Sequence, residues 1–494
     1  MKATSLTSLR TSKASKTPRS LHLFGRDLRL DDNAGLAEAA RFGDVVPAHL
    51  VEAELLERAD RNPRRAAYYC GAVSSLAGAL ETRGARLIVR SDASPDGIAR
   101  LATDAGATTV TWASAYDAAT LARQRARRSA LEARGFAVAV VHDAPAVAPE
   151  ETAAARSARG HGYRALVPFV TTWATQPRRP VAARIAFARA SLYSDPLPAL
   201  AAPAVASAGT EAPSERAAVA GLDAFLGGPV LQYASARDVP GGAPTARISA
   251  ALSFGVIAAR TVLARVDERA RDPFLLTEER LALGAFARAL ARRDFFLQLA
   301  WFYEDAPDRG LQARMDGFAL GTDHPALAAW RAGRTGYPLV DAGMRELRAT
   351  GWMHPRARLV AASFLCFDLA VDWRIGRDAW DDDLIEDEPA LANGNWQWVA
   401  GIGADLAQFP RIYNPHKQLR TYDPLGTYVK KYVTELSGLP DVAPANGPAS
   451  AQRQLSLALF DDRRYPAPVV EHAGAARAYL ARYAAFSRAN GTTR

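Results

Sequence analysis

Five short apolar runs punctuate the first third of the chain: LHLF (21–24), VVPAHLV (45–51), RLIV (86–89), TTVTWAS (108–114) and AVAVVHD (137–143). The segments between them, 34–42, 65–83, 94–105 and 118–134, carry helical patterning. Strand–helix alternation at this spacing predicts a doubly wound parallel α/β sheet over 20–143. Ligands of such sheets sit beyond the carboxyl ends of the strands. FGRDLRLDDN (24–33) is the loop after the first strand, and its plainest reading is an arginine–aspartate network that locks the turn.

Past residue 143 the alternation stops. Residues 144–221 read as an interdomain linker, with PLPALAAPAVASAGTEAPSE (196–215) its exposed, Pro/Ala/Ser-rich part. From 222 to 490 helical spacing takes over, which predicts a large all-α domain. Thr277 is placed to cap a helix whose first turn holds Glu278 and Glu279. Leu283, Phe286, Leu290 and Leu297 carry that helix to Trp301, and 339–350, 354–373 and 471–489 read as further helices. No internal repeat interrupts the pattern.

Composition narrows the setting. Nearly half of the 494 residues are apolar (49%), enough for sizeable cores. No apolar run is long enough for a bilayer and no signal-peptide pattern opens the chain, so a soluble, cytoplasmic protein without membrane contact is expected. Two cysteines, Cys70 and Cys366, make neither a disulfide framework nor a metal cluster, and no metal is expected. The net charge is +9, but Lys2, Arg10, Lys13, Lys16 and Arg19 supply five of those charges. The remainder holds 56 basic and 52 acidic residues, a balance that by itself establishes no nucleic-acid face. Residues 1–19 are polar and read as a disordered basic tail. No GxGxxG or Walker loop appears, so the α/β domain lacks the usual phosphate cradle.

The chemistry concentrates between Gly333 and Leu436. GNWQWVAGIG (394–403) follows the acidic run Glu386-Asp387-Glu388. Around it lie GRTGYPLVDAGMREL (333–347), GWMHPRARL (351–359), FDLAVDWR (367–374) and RIYNPHKQLRTYDP (411–424). Together these stretches resemble the C-terminal FAD-binding core of the photolyase/cryptochrome family. The resemblance implies FAD, held at Thr245, Ala246, Arg247, Ile248 and Ser249 of TARISAALSFG, which is similar to the family's TSRLS phosphate-binding motif. It implies cofactor contacts from Tyr233, Phe286, Arg293, Trp352, Glu388 and Asn393. It also implies an arginine–carboxylate pair, Arg358 and Glu386, beside the isoalloxazine, with glutamate where aspartate is usual. The antenna chromophore stays unassigned. The family's folate-binding Asn-Glu pair matches Ala119-Thr120 here, so a folate antenna is not supported.

The same resemblance assigns electron transfer to Trp396 and Trp373. The usual third tryptophan, counted back from Trp330, falls at Leu320, and Trp380 offers another route. On the lesion side the resemblance implies four departures and one match. The base-binding glutamate position is Ala289, the stacking tryptophan is Arg292, the nearby asparagine is Pro355, and Trp398 alone is retained. The asparagine that faces flavin N5 falls at Ala392, and His354 stands without the second histidine of the (6-4) branch. The leading expectation is a light-dependent photolyase-type enzyme acting on DNA photolesions through an atypical pocket, with ordinary cyclobutane-dimer repair weak or absent. A flavoenzyme acting on a small, perhaps anionic, molecule and a cryptochrome-like photosensor stay open, with a purely structural FAD-binding remnant behind them. DNA and a small molecule are the partner classes, and a monomer is expected.

Overall fold

A computed structural model describes residues 17–58, 60–156, 161–178, 180–199, 213–242, 245–304, 309–312, 315, 317–404, 410–439, 442 and 465–489. The tail reading for 1–19 and the exposed stretch 196–215 lie largely outside these residues. The five runs form one wholly parallel sheet in the order β3-β2-β1-β4-β5. The strands are β1 Arg19–Phe24, β2 Asp44–Leu50, β3 Ile88–Arg90, β4 Ala107–Ala113 and β5 Ala137–Val141. β1 lies in the middle with Leu21, Leu23 and Phe24 buried, as a strand covered on both faces requires. β3 is shorter than the RLIV run predicts and starts at its third residue.

The segment read as linker holds more structure than its composition suggests. It carries helices Pro149–Arg156 and Leu166–Thr175, the second burying Phe169 and Trp173. Residues after 180 run beside β2: Val45 N–H donates to Ala186 O (2.8 Å), and Ala188 N–H to Val45 O (2.9 Å). The elements from Glu215 onward are all helices. The longest helix, Thr277–Phe302, starts where predicted, but the capping position is Leu276, whose N–H donates to the Glu279 carboxylate (2.8 Å). The predicted continuous helix over 354–373 is broken. Helix Pro355–Ser363 passes into a π turn, Phe364–Asp368, Ala370 adopts φ 53°, and a new helix, Trp373–Asp381, begins under an Asp372 cap. Every residue of FLCFD is buried, so its apolar pattern carried no sign of the break.

One core cluster runs through both halves, from Phe24, Tyr69 and Val73 to Phe254, Phe286 and Leu290. A second surrounds Trp330, Trp373, Trp380 and Trp396. The loop 24–33 crosses onto the helical half at Gly255 (φ 64°), where an added Cβ would lie 1.9 Å from Arg26 O. Only glycine fits such a crossing. The loop carries the network expected of it: Asp143 accepts both oxygens' worth of bonds from Arg29 (2.8 Å each) and a third from Arg260 (2.8 Å). Among the described residues no helix is long and apolar enough to cross a membrane, and no group of acidic, histidine or cysteine side chains could hold a metal ion.

Candidate functional site

The acidic run meets an arginine at the predicted place. Arg358, in the first turns of Pro355–Ser363, donates through NH1 to Glu386 Oε1 and through Nε to Met353 O (2.8 Å). The other oxygen of Glu386 accepts from Ser249 Oγ (2.6 Å). Burial alone would raise the Glu386 pKa, but the Arg358 charge and the bonds from Arg358 and Ser249 outweigh it and hold the carboxyl below its usual range. A charged pair therefore persists where the chain turns into helix Pro389–Ala400. Two residues on, Glu388 takes a bond from Arg293 NH2 (3.1 Å), and Arg293 NH1 donates to Ala144 O (2.6 Å). Burial prevails at Glu388 and pushes its carboxyl up despite Arg293 and Arg26.

The segment aligned with the phosphate motif is bent sharply. Arg247 sits at φ 49°, and its guanidinium lies 4.2 Å over the Trp352 ring. Ala246 and Ile248 are buried, and helix Ser249–Ser253 follows. Beside this bend opens a cavity of about 230 Å³ lined in part by Thr245, Arg247, Trp352, His354, Lys431 and Tyr432. His354 Nε2 is buried there with no hydrogen-bond partner, while its Nδ1 accepts from Arg356 N–H (3.1 Å). Two cations, hydroxyls, an aromatic wall and an orphaned ring nitrogen are the groups a phosphorylated, ring-bearing cofactor uses. With the half-buried Arg358–Glu386 pair nearby, the residues fit FAD. One assignment narrows: the Ser249 hydroxyl is committed to Glu386, leaving Thr245 as the segment's hydroxyl on the cavity. Tyr233 and Phe286 meet edge to face with centroids 5.4 Å apart. Asn393 Oδ1 accepts from Arg377 (2.8 Å), so that carbonyl oxygen is already engaged.

The tryptophans form a line that the sequence reading saw only in part. Trp396 is buried, and its ring lies 4.5 Å from that of Trp380. Trp380 stacks on Trp330 at 6.2 Å and 14°. Trp330 is fully buried and donates its indole N–H to Ala361 O (3.0 Å). The seven-residue step from Trp373 to Trp380 was visible in sequence, but the contact across helices was not. Trp373 is also fully buried, with Arg374 and Arg377 at 4.9 and 5.4 Å from its ring centre and its indole N–H unpartnered. Gly376 permits this packing, since an added Cβ would lie 2.3 Å from the Trp396 ring.

The residues aligned with lesion binding fall on the surface. Ala289 and Arg292 share an exposed face of the Thr277–Phe302 helix, and Arg292 is near enough to Tyr233 for its charge to act on that phenol. Pro355 is exposed in the first turn of its helix. Trp398 is half-buried under Arg411, 5.6 Å above its ring. Ala392 is half-buried in the first turn of Pro389–Ala400. Ala119 and Thr120 belong to the first turn of helix Ala118–Glu132, where Thr120 N–H donates to Asp117 (2.8 Å).

The profile described as the FAD binding domain of DNA photolyase matches residues 286–485, and the one described as DNA photolyase matches 20–186. A deoxyribodipyrimidine photo-lyase of Halobacterium salinarum is 34% identical over 469 residues, covering 90% of this chain and 95% of that protein. Cryptochrome-1 of Arabidopsis thaliana is 30% identical over 470 residues, covering 90% of this chain and 67% of that protein. The crystal structure of a bacterial class III photolyase from Agrobacterium tumefaciens is similar with a TM-score of 0.85 at 29% identity, covering 97% of this chain and 100% of that one.

Proposed function

The chain belongs to the photolyase/cryptochrome family of FAD-binding proteins, and from that membership we propose a light-dependent photolyase-type lyase that acts on DNA photolesions through an atypical pocket. The observation that carries the reading is the half-buried Arg358–Glu386–Ser249 constellation at the head of the helix that bears Trp396. FAD, when bound, supplies the light-excited electron donor. In this reading Arg358 and Glu386 face its ring system. Thr245, Ala246, Arg247 and Ile248 hold the phosphates, Ser249 steadies Glu386, and Tyr233, Phe286, Arg293, Trp352, Glu388 and Asn393 complete the cradle. Trp396 passes electrons inward in this reading, and its ring contact makes Trp380 the adjoining donor, with Trp330 stacked behind it inside the core.

The exposed Arg237 and Arg292 near Tyr233, and Arg411 over Trp398, supply the charge that a nucleic-acid backbone needs. Trp398 offers one stacking wall for an extruded base. Ala289, Arg292 and Pro355 remove the other polar and stacking partners, and Ala392 removes an amide beside the flavin ring. The consequence is weak or absent repair of ordinary cyclobutane dimers. The test is single-turnover illumination of the reduced protein with oligonucleotides holding a cyclobutane dimer or a (6-4) lesion. Full cyclobutane-dimer repair at the rate of an ordinary photolyase refutes the atypical pocket, and failure on both lesions refutes the lyase reading. The second reading, a flavoenzyme for a small anion, is favoured by Arg292 at the mouth and predicts turnover in the dark.

A further inference from the structure

The carboxylate assigned to the flavin is held from behind by the other half of the molecule. Helix Pro63–Thr82 of the α/β half presents Arg65, which is almost fully buried. Its Nε donates to Leu384 O (3.0 Å), its NH2 to Glu386 O (3.1 Å), and NH2 also pairs with Asp381 Oδ1 (2.8 Å). Asn62, at the cap of that helix, donates to Asp381 O (3.0 Å) and Leu384 O (2.8 Å). Two carbonyls that lead into the acidic run and one within it are thus fixed by donors from across the interface.

The middle residue of the run is gripped as well. Asp387 Oδ2 pairs with Arg26 NH2 at 2.7 Å, and its Oδ1 lies 3.7 Å from Arg65 NH1. Arg26 also bonds Glu52, just beyond β2 (2.6 Å), and lies 4.5 Å over the Phe254 ring. Arg26 and Glu52 belong to loops at the carboxyl edge of the sheet, where α/β folds place ligands. Here that edge receives Asp387. Without these arginines, three consecutive carboxylates would repel one another and the backbone carrying Glu386 would lose its anchors.

We propose that Arg65, supported by Arg26, is a positioning residue through which the α/β half holds Glu386 on Arg358 and so sets the reduction potential of the bound flavin. The inference rests on the reading that Glu386 faces the flavin. Arg65 acts by geometry as much as by charge: its fork spans two carbonyls and a carboxylate, which a lysine cannot do at once.

The experiment is spectroelectrochemical titration of the full-length FAD-loaded protein carrying Arg65→Lys, Arg65→Gln, Glu386→Gln or the Arg65→Gln/Glu386→Gln pair. Arg65→Lys and Arg65→Gln are both expected to change the relative affinity for oxidised and reduced flavin by about tenfold, which is about 30 mV for a two-electron couple. In the Glu386→Gln background the further effect of Arg65→Gln is expected to vanish. Rescue of the wild-type potential by Arg65→Lys overturns the geometric role. Arg65 variants that merely lower the melting temperature, while Glu386→Gln shifts the potential, overturn the positioning inference and leave the site reading standing. A potential indifferent to Glu386→Gln overturns the site reading and this inference with it. Should the Arg65 variants fail to fold, Arg26→Gln, at a side chain 32% exposed, is read in the same way with a shift of the same sign expected, and an unmoved potential there overturns the proposal.

Discussion

His354 shows what a single residue adds beyond its motif. In sequence it was a lone histidine ahead of a proline; in the fold it caps a helix through Nδ1 and buries Nε2 without a partner. Burial, with the Arg358, Arg247 and Arg356 charges and against Asp238, lowers its pKa from 6.5 to about 4. The unfolded chain therefore takes up a proton near pH 6.5 that the folded chain refuses until about 4, and stability falls as pH drops through that window. Asp294 works in the opposite direction. Burial pushes its carboxyl up to about 6, so the fold gains stability as pH falls from there toward 3.8. His354→Asn keeps a cap acceptor and removes one titration. Urea unfolding between pH 7 and 4 is expected to show a shallower acid loss, by up to about 3 kcal/mol at the low end; an unchanged slope contradicts the burial argument. Ala392 is a different case, because its meaning came from resemblance alone. Ala392→Asn returns an amide whose oxygen accepts the N–H of a reduced flavin. A charge-assisted bond of about 1.5–3 kcal/mol raises the flavin potential by roughly 30–60 mV, and an unmoved potential removes Ala392 from the ring's surroundings. The Arg358–Glu386 pair was legible because both residues lie inside dense motifs. The commitment of Ser249 to Glu386 was not, because 137 residues separate them.

At the scale of elements, helices with polar punctuation were read well and buried ones were not. Pro338–Thr350 and His472–Ala489 start within one residue of their predicted positions. The break at Phe364–Ala370 was invisible because no glycine or proline marks it and its side chains face core on all sides. That break starts helix Trp373–Asp381 in a new direction and lays Trp380 against Trp396. The ring contact on which the proposed electron route relies thus depends on a backbone irregularity rather than on a motif. Trp380→Phe tests it, since phenylalanine fills most of the space but is far harder to oxidise. Photoreduction of the bound flavin, followed by absorbance under blue light with an external reductant, is expected to slow by roughly an order of magnitude, with a stability cost of about 1–2 kcal/mol. Trp373→Phe with a larger effect than Trp380→Phe would restore the route through Trp373. Packing across helices has no period in sequence, which is why the Trp330–Trp380 stack could not be foreseen even though both residues were noticed.

Across the whole molecule the two halves, distinct in pattern, share one core and one buried charge network. The alternation of runs revealed the sheet, but its edge and the helical half are joined by residues that read locally as turn formers. Arg260, from helix Ala259–Ala270, donates Nε to Asp32 Oδ1 (2.9 Å) and NH2 to Asp143 Oδ1 (2.8 Å), while Arg29 completes the carboxylate. Burial opposes ionisation of Asp143, but Arg29 and Arg260 outweigh it and hold the pKa at about 2, so its contribution is present above pH 3.8 and lost only in stronger acid. Replacing Asp143 leaves the buried Arg29 without its carboxylate and Arg260 with Asp32 alone, which costs more than the bond itself contributes. Asp143→Asn, which strands the buried Arg29 guanidinium and halves the pairing of Arg260, is therefore expected to lower the unfolding free energy by about 3–5 kcal/mol. Because Phe254, Phe286 and Leu290 pack in the same cluster as Phe24 and Val73, the wild-type chain is expected to melt in a single calorimetric transition, with sheet and helices lost together. Two resolved transitions would mean that the sheet unit folds on its own and that the network only docks it. A single transition displaced downward in Asp143→Asn would mean that the charges at the sheet's ligand edge hold one folding unit together, so the edge that other α/β folds keep open is spent here on joining the halves.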